Sequence, residues 1–343
     1  MREGQTPDPV PAPPGADVAP GGEFDLIRRH FRRAMPPDAR QVPLGIGDDC
    51  ALLRLRPGHL LAVSSDMLVE GRHFLAGTDA RRLGHKALAV NLSDLAAMGA
   101  RPLGFTLALA LPAVDESWLA GFSIGLHALA DRHGCPLVGG DTTRGPLNIC
   151  ITVFGELAAG QALRRDAAVA GDDLYLSGRT GEARLALAAL QGEPWAREAA
   201  AGDMDDLLAR LETPQPRVSL GQALAGVARA AIDVSDGLVG DLGHLLEASG
   251  CGARLQASRL PVAPALARLA PQHRWQCLLA GGDDYELLFT ASPGQRARIE
   301  ALARATGTGV TRIGEMTPGE GLQIVDEAGT VLPGRFAGFD HFG

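Results

Sequence analysis

The sequence predicts a two-domain protein of the mixed α+β class. Its 343 residues are enough for about two domains of ordinary size. Hydrophobic residues make up 46% of the chain and charged residues 21%, which is typical of a protein that buries large cores. Apolar runs of strand length mix irregularly with longer runs of helical period, whereas strict alternation of the two would indicate a parallel α/β sheet.

The first half of the chain begins with an expected tail and continues into a domain. Residues 1–22 are rich in Pro, Gly and Ala and poor in large apolar residues, which predicts a disordered segment. Residues 23–158 are expected to form an N-terminal α+β domain that binds ATP and metal. Its predicted helices are 23–35, 80–98 and 118–133, and its predicted strands are 60–64, 103–111, 136–138 and 148–157.

The second half is expected to form a C-terminal α+β domain over residues 159–343. The boundary between the domains is placed near residues 158–170, and Pro214-Gln215-Pro216 acts as a helix breaker. The predicted strands are 173–177, 230–234, 285–290 and 321–325, and the predicted helices are 183–190, 204–211 and 238–248.

The charge balance and the basic residues exclude several classes of protein. The net charge of −8 argues against a nucleic-acid partner, because phosphate backbones call for a basic surface. Lys86 is the only lysine, and its context Gly84-His85-Lys86-Ala87 is not the G-K-[ST] of a P-loop, so a P-loop kinase is excluded. The protein-kinase motifs H-R-D and D-F-G are also missing from the sequence.

Cysteine usage and apolar patterning predict the compartment. The sequence has five cysteines and no C-x-x-C pair, which predicts reduced, mostly buried thiols in a reducing compartment. It contains neither an 18-residue apolar run nor an N-terminal stretch of basic and then apolar residues. We therefore expect a cytoplasmic protein without a membrane partner.

Acidic residues gather in six clusters, most of them at the ends of apolar runs. A single Gly-Gly-Asp suits a plain turn, and Ser235 or Asp236 would serve as the cap of the next helix. Asn91 and Asp94 are harder to explain structurally. They share one face of an otherwise apolar helix, where a charge is costly unless it is paired or bound to metal. The clusters are residues 45–49, 64–66, 91–94, 139–144, 233–237 and 281–286.

Together the clusters predict a magnesium site that binds phosphates. Carboxylates about 4 Å apart repel by roughly 4 kcal/mol at an effective dielectric of 20, so converging aspartates call for a cation. The ligands are oxygens, and both the Cys–His spacing of zinc sites and the calcium-loop pattern are missing from the sequence. Mg²⁺ bridging carboxylates to phosphates is therefore the natural interpretation. Glycine pairs beside the aspartates would let backbone N–H groups approach an anion, although turn geometry explains them equally well.

In this order, the clusters resemble the thiamine-monophosphate kinase family of the aminoimidazole ribonucleotide synthetase superfamily. The resemblance covers residues 22–343. Selenophosphate synthetase and the hydrogenase-maturation protein fit less well, because this chain lacks the reactive cysteine beside a lysine of the first and the terminal cysteine of the second. The matching stretches are residues 22–27, LGIGDDCAL at 44–52, SSDMLVEGRHF at 64–74, KALAVNLSDLAAMGA at 86–100, GGDTTRGP at 139–146, residues 232–244, residues 281–290 and GFDHF at 338–342.

The resemblance implies a fold, an assembly and a reaction. The fold is the two-domain aminoimidazole ribonucleotide synthetase-like fold, with the N-terminal sheets of two subunits pairing into a barrel in a homodimer. The reaction is the ATP-dependent, Mg²⁺-dependent phosphorylation of thiamine monophosphate to thiamine diphosphate by in-line transfer of the γ-phosphate, the last step of thiamine diphosphate biosynthesis. Two alternatives stay open: an ATP-dependent ligase or cyclase of the same superfamily, and a magnesium-nucleotide binding protein without turnover.

The resemblance also implies the site residues. The catalytic positions are Asp66, Asp94 and Asp141. The positions that contact ATP are Gly140, Asp141, Arg165 and Ser235. The positions that contact thiamine phosphate are His73, Asp283 and Phe339. The metal positions, which would hold several Mg²⁺ ions, are Asp49, Ser64, Ser65, Asp66, Asp94, Asp141, Asp233 and Asp236.

Two of these positions depart from the family pattern. The family often has threonine where this chain has Ser65, so the hydroxyl is kept. It often has glutamate where this chain has Asp283, so the carboxylate stands on a shorter side chain.

Overall fold

The computed structural model describes residues 22–35 and 39–332 of the chain. Most of the predicted tail, residues 1–21, and the predicted substrate position Phe339 lie outside the described residues. Within the described part of the chain, no helix is long and apolar enough to cross a membrane.

A four-stranded mixed sheet forms the centre of the N-terminal half. Its strands are β1 (His59–Val69), β2 (Arg101–Leu111), β3 (Leu137–Arg144) and β4 (Asn148–Ala158). Their order in the sheet is β1-β4-β2-β3, so that β1 and β3 are the edge strands. β4 runs antiparallel to both β1 and β2, and β3 runs parallel to β2.

Strands β1 and β3 are longer than the sequence predicts. The predicted strands stop near residues 64 and 138, where polar residues begin, whereas β1 continues to Val69 and β3 to Arg144. The extra length comes from pairing with a neighbour: β1 is in register with β4 from end to end, and β3 follows β2. Sheet pairing therefore overrides the low strand propensity of these residues. Asp66 and Asp141 consequently lie inside strands rather than after them.

Two long helices cover one face of this sheet. They are α2 (Ala80–Ala97) and α3 (Glu116–His133), preceded by α1 (Glu23–Leu26), which continues as a π-helical turn (Ile27–Phe31). The predictions for α2 and α3 are confirmed to within two residues, whereas the first helix ends four residues early. Glycine lets α2 and α3 touch: a Cβ at Gly84 would lie 2.0 Å from the Phe122 carbonyl oxygen, and one at Gly125 would lie 1.8 Å from that of Arg81. Larger residues at either glycine would push the helices apart.

A six-stranded mixed sheet forms the centre of the C-terminal half. Its strands are β5 (Asp173–Ser177), β6 (Ala230–Val234), β7 (Gly252–Gln256), β8 (Glu286–Ala291), β9 (Val310–Thr317) and β10 (Gly321–Val325). Their order is β10-β7-β9-β5-β8-β6, and only the β10–β7 pair is parallel. The sequence predicted β5, β6, β8 and β10 but missed β7 and β9.

Helices and short turns surround the second sheet. The helices are α4 (Glu182–Leu190), α5 (Pro194–Ala200), α6 (Met204–Glu212), α7 (Val218–Leu224), α8 (Leu238–Ser249), α9 (Pro264–Ala267), α10 (Pro271–Ala280) and α11 (Arg296–Thr306). Three 3-10 turns lie at Arg165–Ala167, Ala257–Arg259 and Pro293–Gln295.

The two halves share a core, and α2 lies at their junction. Alternate residues of β8 face different sides: Leu287 and Phe289 pack into the core that also contains α2 and α3, whereas Leu288 packs into the core of the C-terminal helices. Helix α2 contacts β1 and β4 of the first sheet as well as β6 and β8 of the second. Side chains on α2 are therefore placed to meet loops from both halves of the molecule.

Candidate active site

One face of α2 fixes the polar residues of β1. The Ser64 hydroxyl donates a hydrogen bond to Oδ2 of Asp94 on α2. The side-chain oxygen of Asn91 accepts a hydrogen bond of 3.1 Å from the backbone N–H of Asp66, while its amide donates to the Ala87 carbonyl at 3.0 Å. The buried Asn91 thus has a structural role, whereas Asp94, on the same helix face, contacts Ser64.

A second face of α2 holds the end of β6. The Ser93 hydroxyl donates a hydrogen bond of 2.8 Å to Oδ2 of Asp233, and both residues are at most 4% exposed. Asp233 is the penultimate residue of β6, and Ser235 and Asp236 follow in the turn before α8. The two predicted metal clusters, one from each half of the chain, therefore meet across α2.

The aspartates at this junction raise one another's pKa values. Burial, together with the charges of Asp94 and Asp236, raises the pKa of Asp66 from its ordinary 3.8 to about 7. Burial also raises the pKa of Asp94, against the opposing effects of the Ser64 hydroxyl and Arg165. The pKa of Asp233 is raised by burial and by the charge of Asp94. Such a group is unfavourable when fully ionised, unless a cation neutralises it.

The donor set fits Mg²⁺ in its chemistry. Carboxylate and hydroxyl oxygens are the ligands that this ion prefers, and the raised pKa values reflect a local excess of negative charge. As these side chains stand in the described part of the chain, no three His, Cys, Asp or Glu side chains are close enough together to hold one ion. Phosphate oxygens and waters usually complete the shell of Mg²⁺ in nucleotide sites, so a site built from one or two carboxylates per ion is normal.

The first turn of α8 contains an acidic residue, Asp241, that the sequence analysis did not predict as part of the site. Oδ2 of Asp241, in the first turn of α8, accepts hydrogen bonds of 3.0–3.1 Å from the backbone N–H groups of Ser235, Asp236 and Gly237. The protein's own carboxylate therefore takes these three backbone donors at the start of α8. An acidic residue in the first helical turn is the sequence signal that could have revealed it.

A cavity of about 470 Å³ lies beside the acidic cluster. Arg165, in the 3-10 turn Arg165–Ala167, lines it together with Ser64 and Asp94. The volume falls within the range of about 300–1,000 Å³ that is typical of ligand sites. The residue predicted to contact ATP, Arg165, and two residues predicted to bind metal, Ser64 and Asp94, therefore line the same cavity. Its full lining is Ala62, Val63, Ser64, Asp94, Leu95, Ala97, Met98, Arg164, Arg165, Asp166, Ala231 and Ala248.

The predicted substrate residue Asp283 lies next to the turn of residues 235–237 that precedes α8. Its backbone N–H donates to the Ser235 carbonyl at 2.8 Å. The approach of the two segments depends on Gly282, where a Cβ would stand 2.6 Å from the same Ser235 oxygen. Asp283 therefore lies against the turn that follows β6. His73 lies in the turn after β1, and its Nδ1 accepts a hydrogen bond of 3.0 Å from the Val69 N–H.

Several predicted residues lie elsewhere in the single chain. Asp141 and its neighbour Gly140 are exposed. In the sheet register Asp141 lies beside Ala108 of β2, and its side chain is on the face of the sheet that α2 does not cover. Ser65 points to the same uncovered face and bonds the Thr152 hydroxyl at 2.9 Å. Roughly three strand spacings, about 14 Å, separate β1 from β3. Gly140 and Asp141 on β3 are therefore separated from the Asp66–Asp94 cluster in one chain, and the Ser65 side chain lies on the opposite face of β1 from Asp66. Asp49 is exposed.

Comparison with known proteins decides the family. The model of the AIR synthase related protein N-terminal domain matches residues 47–157, and that of the C-terminal domain matches residues 169–327. The thiamine-monophosphate kinase of Escherichia coli strain K12 is 46% identical over 323 residues, which cover 94% of this chain and 98% of that protein. This chain belongs to the thiamine-monophosphate kinase family.

Solved structures of the family share the fold. A crystal structure of thiamine-monophosphate kinase from Stenotrophomonas maltophilia K279a matches with a TM-score of 0.79 and 46% identity, covering 86% of this chain and 93% of that chain. A structure of AaThiL complexed with AMPPCP and TMP matches with a TM-score of 0.71 and 28% identity, covering 84% of this chain and 89% of that chain. The two-domain architecture of mixed sheets is thus the one common to the thiamine-monophosphate kinase family.

Proposed function

We infer that this chain is an ATP-dependent kinase that phosphorylates thiamine monophosphate to thiamine diphosphate, the last step in making that cofactor. The family assignment rests on relatives named for this activity at 46% identity over nearly the whole chain. A more distant relative binds AMPPCP, an analogue of ATP, together with TMP. The single observation in this structure that carries the proposal is the meeting of Asp66, Asp94, Asp233 and Asp236 from both domains around α2.

We propose that these aspartates and Ser64 hold several Mg²⁺ ions when ATP is bound. Bound Mg²⁺ would supply charge neutralisation for the transferring phosphoryl group. The repulsion recorded in the raised pKa values of Asp66 and Asp233 supports this role, because a cation removes the cause of the repulsion.

The protein's own part in the transfer is to position the reactants. A phosphate oxygen of thiamine monophosphate is already ionised at neutral pH, so attack on the γ-phosphorus needs no strong general base. Arg165 in the cavity and Ser235 in the turn are proposed to orient ATP, and the rigid α2 face holds Asp94 beside Ser64. Holding two reactants in line is worth several kcal/mol of barrier, and this is the contribution we assign to the fold.

The remaining predicted residues keep their roles as proposals. His73, Asp283 and Phe339 are proposed to contact thiamine phosphate, and Gly140 and Asp141 to contact ATP. Asp141, Asp49 and Ser65 are also proposed as metal positions. For Asp141 and Ser65 the contact would have to be made from the uncovered face of the first sheet, where both side chains lie.

We propose a homodimer in which the N-terminal sheets of two chains pair into a barrel. Edge strand β1 exposes a row of large apolar side chains on the uncovered face of the sheet: Leu61 is 47% exposed, Val63 55% and Met67 53%. A long edge strand with exposed apolar residues invites pairing with another chain.

The bounds 23–158 and 159–343 remain our proposal for the two domains, with β4 ending at Ala158. A cytoplasmic location likewise remains a prediction.

One assay tests the proposed function. Purified protein is incubated with ATP, Mg²⁺ and thiamine monophosphate, and thiamine diphosphate, ADP and free phosphate are measured. Thiamine diphosphate formed in step with ADP, and abolished by a chelator, is the expected result. Free phosphate without thiamine diphosphate would instead indicate the ligase or cyclase chemistry of the superfamily, and nucleotide binding without turnover would indicate a regulatory protein.

A further inference from the structure

Lys86, the only lysine of the chain, is buried against the loop of residues 281–285 that precedes β8, called here the substrate-side loop. The Lys86 side chain on α2 is 4% exposed, and its Nζ lies 2.8 Å from Oδ1 of Asp283, which is 27% exposed. A buried ammonium is costly unless a partner neutralises it, so the position of Lys86 depends on this carboxylate. The pair joins the N-terminal helix α2 to the loop that precedes β8.

The same carboxylate oxygen receives a second donor. The hydroxyl of Tyr285, itself 9% exposed, donates to Oδ1 of Asp283 at 3.1 Å. Within residues 22–35 and 39–332, the other oxygen, Oδ2, has no hydrogen-bonding partner. Lys86 and Tyr285 therefore hold the Asp283 carboxylate by one oxygen and leave the other for a ligand.

The backbone of this loop is strained. Asp283 has a φ of 65° and Tyr285 a φ of 51°, a left-handed conformation that costs of order 1 kcal/mol or more for a residue with a side chain. Two backbone hydrogen bonds of 2.8 Å tie the loop to β6 and the turn after it, from Asp283 to Ser235 and from Tyr285 to Val234. Strain that the surroundings hold in place is characteristic of functional loops.

We propose that Lys86 is a positioning residue that aims Oδ2 of Asp283 at a neutral N–H donor on the ring end of the acceptor. Because the ammonium and the carboxylate neutralise each other, the pair is suited to a hydrogen bond with an uncharged group rather than to attraction of a cation. The exocyclic amino group of the aminopyrimidine ring is the donor of this kind in thiamine monophosphate. The inference rests on the proposed kinase function, whose product assay tests that function separately.

The kinetic test separates the two substrates. Lys86→Met should raise KM for thiamine monophosphate by about tenfold or more while KM for ATP stays within about twofold, because Lys86 acts on the acceptor side only. Lys86→Arg should recover part of the loss, since it restores the charge. Tyr285→Phe removes a single oxygen from the same contact and should shift the same constant in the same direction. Arg81→Met, an exposed basic residue on the same helix, is the control.

An altered acceptor tests the hydrogen bond itself. In the analogue of thiamine monophosphate whose pyrimidine carries a carbonyl in place of the amino group, the donor becomes an acceptor. Wild-type protein should discriminate against this analogue by about tenfold or more, and the discrimination should shrink in Lys86→Met. Equal use of both acceptors by the wild type would overturn the proposed contact.

The absence of other lysines allows a second test that does not depend on activity. Apart from the N-terminal amine, an amine-selective reagent can modify only Lys86, and peptide mass spectrometry measures the rate. Asp283→Asn should speed modification of Lys86 by about tenfold or more because it removes the charge partner, and Tyr285→Phe should speed it less. Asp205→Asn, the same change at an exposed site on α6, should leave the rate unchanged.

The outcomes distinguish failure of the kinase function from failure of the positioning role of Lys86. Wild-type protein that makes no thiamine diphosphate would refute the kinase function, whatever Lys86 does. Wild-type protein that makes it, combined with unchanged acceptor KM in Lys86→Met and in Tyr285→Phe, would refute the positioning role alone. Lys86 that reacts as fast in the wild type as in Asp283→Asn would show that the pair does not form in solution and would also refute that role.

Discussion

Ser93 on α2 donates a hydrogen bond of 2.8 Å to Asp233 on β6, and this buried contact links the two domains at the acidic cluster. The hydroxyl lowers the cost of a carboxylate whose pKa is raised by its burial and by the charge of Asp94. One small side chain thus influences both the stability of the domain junction and the direction of a proposed metal ligand.

Replacing Ser93 with alanine should therefore destabilise the protein and weaken its response to Mg²⁺. The loss of the donor leaves the Asp233 carboxyl unsatisfied, which costs about 1–3 kcal/mol of unfolding free energy. Urea denaturation with and without Mg²⁺ measures both effects. Ser123→Ala is the matched control, because Ser123 is also buried but bonds only the Ala120 carbonyl within α3. Equal losses in the two variants would contradict a special role for Ser93.

Asp66→Asn and Asp94→Asn should each reduce kcat by orders of magnitude without unfolding the protein. Asparagine keeps the size of the side chain but removes the charge that a divalent ion requires, so the loss should fall on the chemical step. Steady-state kinetics at saturating substrates and circular dichroism check the two parts. Near-normal turnover in either variant, with Asp205→Asn as the exposed control, would refute the assignment of both carboxylates.

Metal-free protein should lose stability as the pH rises from about 4 to about 7. The pKa of Asp66 is raised by burial, and by Asp94 and Asp236, from 3.8 to about 7, so the folded state keeps a proton that the unfolded state releases. Where the folded state binds more protons, the unfolding free energy falls with rising pH, by up to about 1.4 kcal/mol per pH unit for one group.

Mg²⁺ should reverse this trend, because it binds the deprotonated carboxylates. Melting temperatures at pH 5 and pH 8, each measured with chelator and with Mg²⁺ plus ATP, provide the check. We expect the gain on adding Mg²⁺ and ATP to be larger at pH 8. A gain that is equal at both pH values would argue against carboxylates as the metal ligands.

The buried ion pair of Arg217 with Glu286, the first residue of β8, should contribute more to the unfolding free energy than an exposed ion pair does. Arg217 bonds both carboxylate oxygens of Glu286 at 2.5–2.6 Å, and the Glu286 side chain is 2% exposed. Arg217→Met should cost about 3–5 kcal/mol of unfolding free energy, because it leaves a buried charge unpaired. Adding Glu286→Leu should recover much of the loss. Removing the exposed pair Arg33–Asp131 should cost about 0–1 kcal/mol.

The sequence predicted α2 well, and with it part of the site. The helix was expected over residues 80–98 and spans Ala80–Ala97, and its polar residues Asn91 and Asp94 indeed meet β1. A long helix is predictable because its signal is local and periodic. The partner of Lys86, in contrast, is a residue of the opposite domain, and no local pattern specifies such a contact.

The wrongly predicted ends of strands β1 and β3 were the main reason that the sequence did not predict where the site residues lie. The predicted strands ended where polar residues begin, yet pairing with β4 and β2 carries β1 and β3 through Ser65 and Asp141. Inside a strand, alternation decides which face a side chain occupies, so neighbours in sequence point to opposite sides. This is why Asp66 faces α2 whereas Ser65 and Asp141 lie on the uncovered face, an outcome that depends on tertiary pairing.

Charge on the uncovered face of the first sheet should dissociate the proposed dimer. Val63, on edge strand β1, is 55% exposed and lies beside Phe154 of β4 in the register of the sheet. Val63→Lys would place a charge inside a barrel formed by two such sheets, where desolvation of an unpaired ion is prohibitive. Ile124, on α3, is 53% exposed but lies on a helix, so Ile124→Lys is the matched control.

Sedimentation velocity should accordingly show a dimer for the wild type and for Ile124→Lys, and a monomer for Val63→Lys. Because Asp141 and Ser65 reach the uncovered face, loss of the dimer should also reduce turnover if these residues contribute to the proposed site there. A monomeric wild-type protein with full activity would refute the barrel. A Val63→Lys variant that stays dimeric would show that the chains associate through another surface.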